Sequence, residues 1–91
     1  MERDPRAFLW DVQQAVIAIQ QFIQGMDATS YADSALVRSA VERQFEIIGF
    51  RNILIHGYAS IDHARVWQIA VDLVPELKQV VSALLDSLGS D

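Results

Sequence analysis

Apolar residues recur at three- and four-residue spacing from Phe8 through Leu9, Val12, Ala15, Val16, Ile19 and Phe22 to Ile23. Gln13, Gln14, Gln20 and Gln21 fill much of the opposite face, so the segment reads as an amphipathic helix. Asp4 before Pro5 supplies an N-cap and a first helical residue, and Gly25 supplies a stop. The polar run from Asp27 to Asp33 reads as a loop, with Ser30 or Asp33 placed to cap a second helix through Leu36, Val37, Ala40, Val41, Phe45 and Ile48. No proline or turn cluster interrupts that helix before Gly57, so it is expected to run about 24 residues, roughly 36 Å. Tyr58 to Asp62 forms a short connection, with Ser60 or Asp62 as the next cap. A third helix then carries Val66, Trp67, Ile69, Ala70, Leu73, Leu77, Val80, Val81, Leu84 and Leu88. Pro75 falls inside it and is expected to kink it after Val74. No alternating run is convincing as a strand, so the expected class is all-α, with three main helices and a long central one.

Composition narrows the function classes. The 91 residues are one small domain, residues 1–91, and 52% of them are hydrophobic, more than so small a core can hide. Surplus apolar surface on a small domain points to a partner or an oligomer. The formal net charge of −5 argues against a polybasic nucleic-acid binder, though not against a local basic cleft. With no cysteine, disulfide frameworks, thiolate metal sites and cysteine nucleophiles are excluded. The longest apolar runs, such as Ile53-Leu54-Ile55, are too short for a membrane span. The charged start, Met1 to Arg6, has no signal-peptide pattern, and the expectation is a soluble cytoplasmic protein.

One segment concentrates chemistry. On a helix that places Arg51 at zero, Asn52 lies at about 100°, His56 at about 140° and Tyr58 at about −20°, while Ile47, Phe50, Ile53 and Leu54 fall on the core side. Asn52 and His56 are then neighbours one turn apart, so the amide could orient the imidazole. Arginine offers a permanent fork of donors to phosphate oxygens, and histidine moves protons near neutrality. The two suffice for metal-free cleavage of RNA: the ribose 2′-hydroxyl attacks the adjacent phosphate, His56 handles a proton and Arg51 stabilises the charged phosphorane. The plainer alternative is a half-buried histidine satisfied by its neighbours, with Arg51 paired to a carboxylate such as Glu46.

The motif Arg51-Asn52-x-x-x-His56-x-Tyr58 resembles the Arg-x4-His-x-Tyr signature of HEPN-domain toxins, particularly the HepT-like subgroup. The surroundings are similar in order: Asp11 to Val16 with Ile19 and Phe22 resembles that family's first helix, and Val41 to Gly49 its second. Ile61-Asp62 through Val66-Trp67 to Asp72–Leu77, with its interior proline, resembles the last. The resemblance implies a HEPN-like helical bundle and a metal-independent ribonuclease toxin without cofactor. It also implies catalytic Arg51 and His56, a supporting Asn52 and an MNT-type nucleotidyltransferase antitoxin as partner. In some such pairs the antitoxin adds AMP to the signature tyrosine, here Tyr58, placing negative charge and bulk where the RNA phosphate must sit. HEPN toxins act as homodimers whose signature helices face one cleft, which lets an acidic chain present a basic site.

The chain departs from the family pattern in its middle. Members usually carry some twenty or more residues between the Glu-Ile-Ile-Gly stretch and the Arg-Asn of the signature, whereas here Gly49 is followed at once by Phe50-Arg51. A glycine inside a helix costs only about 1 kcal/mol, so the second and signature helices are expected to fuse into one rod. A second chain would then cover that rod by domain swapping, in an obligate interface above about 2,000 Å². Two other functions fit the same residues: a non-catalytic HEPN module that binds nucleotide or substrate for a nucleotidyltransferase, and an inert helical assembly protein.

Overall fold

The computed structural model describes residues 4–49, 55–56 and 60–89. Among the described residues, four helices, α1 (Pro5–Ile23), α2 (Ala28–Asp33), α3 (Ala35–Ile48) and α4 (His63–Gly89), form the bundle, and a pair of two-residue strands lies between α3 and α4. The class is all-α, as the periodicity predicts.

Helix α1 begins as the sequence dictates: the Asp4 carboxylate accepts from Arg6 N–H at 2.9 Å and Pro5 occupies the first turn. It ends before Gly25, whose φ of 78° only glycine adopts without strain. The expected loop after it is instead helix α2. Asp27 accepts from the Ser30 amide while the Ser30 hydroxyl accepts from the Asp27 amide, and this capping box starts a turn that Tyr31 anchors by burying its ring. The cap of α3 is therefore neither Ser30 nor Asp33 but Ser34, whose hydroxyl accepts from Val37 N–H.

The long central helix does not form. Helix α3 stops at Ile48, and Gly49 turns the chain in the left-handed region at φ 94°, with its N–H returned to Glu46 and Phe45 carbonyls. The propensity cost of glycine in a helix interior does not govern this position. A glycine followed by a chain that can leave the helix is a ready left-handed cap, and capping bonds stabilise that exit. A second chain has no continuous rod to cover by domain swapping, because the chain leaves the helix at Gly49. Beyond it, Ile55–His56 (β1) pairs antiparallel with Ser60–Ile61 (β2), Ile55 opposite Ile61 and His56 opposite Ser60. Isoleucine, β-branched, stands at both ends of this one register pair, a residue type that suits extended backbone better than helix.

Asp62 then caps α4, accepting from Arg65 N–H at 3.1 Å. The 27-residue helix continues through Pro75. Helix α1 packs on both α3 and α4, and α2 bridges the same two. The core joins Val12, Val16 and Ile19 of α1, Tyr31 of α2, Val41 and Phe45 of α3, and Val66, Ala70, Val74 and Val81 of α4. Several positions assigned by periodicity to the apolar faces remain exposed, among them Phe8 and Phe22 on α1 and Leu73, Val80, Leu84 and Leu88 on α4. Among the described residues, no helix is long and apolar enough to cross a membrane.

Candidate functional site

Of the four residues singled out in the sequence, the structure places one. His56 lies on β1, opposite Ser60 on β2, while Arg51, Asn52 and Tyr58 lie outside the described residues. The helical placement of His56 is thereby corrected. Its backbone is extended, where successive residues alternate sides with a period of two, so the shared polar sector derived from a 100° step does not carry over.

The strand pair opens directly into a polar cluster at the junction of α2, α3 and α4. His63, the first residue of α4, is approached by two α3 side chains one turn apart. Arg38 Nη1 lies 2.7 Å from His63 Nε2, and Glu42 Oε2 lies 3.3 Å from His63 Nδ1. A guanidinium only donates, so Nε2 accepts and the ring hydrogen sits on Nδ1, facing the carboxylate. The 3.3 Å approach lacks the alignment of a hydrogen bond, and Glu42 Oε2 and His63 Nδ1 make no other bond. Tyr31 lies under the cluster, fully buried, its ring 5.3 Å from that of Trp67. Burial pushes its phenol up to about 12, reinforced by the Glu42 charge and partly offset by Arg38.

Sequence reasoning missed Arg38, Glu42 and His63. The available signal was an Arg–Glu pair four residues apart on one helix, but that spacing ordinarily marks a solvated surface pair. Nothing local indicates that both side chains reach a histidine 25 residues beyond Arg38. Among the described residues, no group of three His, Asp or Glu side chains is arranged to hold a metal ion.

Comparison with known proteins adds an independent line. The family described as Ribonuclease HepT-like matches residues 46–84, a span that contains Arg51, His56, Tyr58 and about the first four-fifths of α4. A Methanocaldococcus jannaschii protein named "Putative RNase MJ1380" is 30% identical over 104 residues, covering 88% of this chain and 95% of its own length. A second from the same organism, "Putative RNase MJ0125", is 26% identical over 111 residues, covering 96% of each. Both aligned stretches are longer than the 91 residues of the chain, so the relatives contain positions that this chain lacks. No solved structure matches the chain.

Proposed function

This chain belongs to the HepT-like ribonuclease family, and from that premise we propose that it is the RNA-cleaving toxin of a toxin–antitoxin pair, with Arg51 and His56 as its catalytic residues. The observation that carries the reading is the Arg-x4-His-x-Tyr motif lying inside the matched segment.

In the proposed reaction His56 takes the proton of a ribose 2′-hydroxyl as its oxygen attacks the adjacent phosphorus. The bond from phosphorus to the 5′-oxygen breaks, and that oxygen takes a proton as it leaves. The products are a 2′,3′-cyclic phosphate and a 5′-hydroxyl. Arg51 stabilises the charge that builds on the equatorial oxygens, and no metal is required. Asn52 supports the site. An MNT-type nucleotidyltransferase silences it by placing AMP on Tyr58. Tyr31, the other tyrosine, is fully buried and out of reach of such an enzyme in the folded chain.

The active form is a homodimer in which two copies of Arg51 converge. Support comes from the exposed apolar stripe of α4: Leu73, Val80, Leu84 and Leu88 fall within about 80° of one another on the helix and are 38–55% exposed.

The test is the chemistry of the cut. In EDTA, the purified chain should cleave single-stranded RNA to 2′,3′-cyclic phosphate ends and leave a fully 2′-deoxy substrate intact. Cleavage of the deoxy substrate, or activity lost with the metal, would contradict the mechanism. Tight RNA or nucleotide binding without cleavage would favour the non-catalytic module.

A further inference from the structure

We propose that Arg38 and Glu42, acting through His63, form a clamp that positions the strand pair carrying His56. This rests on the reading of His56 as a catalytic residue.

The two α3 side chains lie one turn apart on the helix and approach opposite nitrogens of one ring, Arg38 by a 2.7 Å hydrogen bond and Glu42 at 3.3 Å, so the ring is bracketed from both sides. His63 is only two residues past Ile61, the end of β2, and the intervening Asp62 is itself held as the α4 cap. Strand β2 is in turn paired to β1, with Ser60 opposite His56. An unbroken route of short connections therefore runs from the rigid face of α3, through His63 and Asp62, to the backbone of His56.

A two-residue strand pair has little stability of its own, so its position depends on what holds its ends. On the α4 side that hold comes from the Asp62 cap and the His63 clamp. The clamp is built rather than incidental. Glu42 is half-buried with its Oε2 shielded from solvent, and Arg38 Nε is shielded too, while the His63 side chain is 38% exposed. Losing Glu42 removes one side of the bracket, and His63 becomes free to turn. Small misplacements of a reacting group lower turnover strongly while leaving substrate affinity largely intact.

The experiment compares wild type with Glu42→Ala, Glu42→Gln and His63→Gln by steady-state RNA cleavage and by amide hydrogen exchange without RNA. Glu42→Ala should lower kcat about tenfold or more with KM within about twofold, consistent with the sensitivity of catalysis to geometry. In the same variant the amides of residues 55–56 and 60–61 should exchange about tenfold faster, while those of Val16 and Ile19 in the core stay unchanged. Glu42→Gln keeps an oxygen acceptor toward Nδ1 and should restore most of both. His63→Gln keeps the acceptor toward Arg38 but loses the Glu42 contact, and should behave as Glu42→Ala does if that variant fails to fold. Unchanged exchange and kcat in the folded variants, or a Glu42→Gln as impaired as Glu42→Ala, would overturn the clamp. A wild type that cleaves no RNA would overturn the catalytic reading of His56 instead, and the exchange arm would then decide the clamp alone.

Discussion

Tyr31 shows how a single residue reports on the core. Its ring is fully buried against Trp67, yet its hydroxyl meets no hydrogen-bond partner. An unsatisfied buried hydroxyl costs stability, so Tyr31→Phe should raise the unfolding free energy by about 1 kcal/mol, read from denaturant titration. The same burial makes a pH prediction. The phenol titrates near 10 in the unfolded chain and at about 12 in the folded one. Between these values the unfolded state releases its proton while the folded state keeps it, so the unfolded state is favoured as pH rises. The Tyr31 contribution is fully present below pH 10 and is lost on the way to pH 12. Thermal melts across that window should fall more steeply for wild type than for Tyr31→Phe.

At the scale of elements, Gly49 decides the architecture. Its φ of 94° ends α3, and a Cβ there would meet nothing within 4 Å, so the cost of a substitution is conformational rather than steric. Gly49→Ala should destabilise the fold by about 1 kcal/mol, measured by chemical denaturation. An alanine variant as stable as wild type would argue that α3 can continue past this point. The existence and type of α1, α3 and α4 were legible in the sequence because their apolar spacing is long and regular. Asp62 was one of two candidate caps with Ser60 until the bond to Arg65 N–H decided between them, whereas Asp4-Pro5 was legible as a cap from residue type alone. Helix α2 was not, because its six residues carry too few apolar positions to show a period; its stability comes from the Asp27–Ser30 box and the burial of Tyr31. The end of α3 was misread because a lone glycine in helical context has two outcomes, interior defect or left-handed cap. The choice depends on what the chain does next. The strand pair that holds His56 and the Arg38–Glu42–His63 cluster were not legible, since both are assembled by tertiary contacts.

The whole molecule leaves apolar surface uncovered: Trp10 on α1 is 56% exposed, Leu36 on α3 is 82% exposed, and the α4 stripe is about half exposed. A dimer that covers the α4 stripe predicts that Leu84→Glu shifts the chain to monomer at micromolar concentration in sedimentation, and that cleavage falls with it. A wild type that sediments as a stable, folded monomer under those conditions would remove the dimer from the account. The central claim is that one catalytic unit, Arg51 with His56, carries RNA cleavage. It is tested most directly by cleavage rates of Arg51→Ala, His56→Ala and the double variant on one RNA substrate. Groups acting as a unit are strongly non-additive, so each single change should abolish cleavage about as completely as both together, with helical content unchanged by circular dichroism. Full-rate cleavage by either single variant would contradict it.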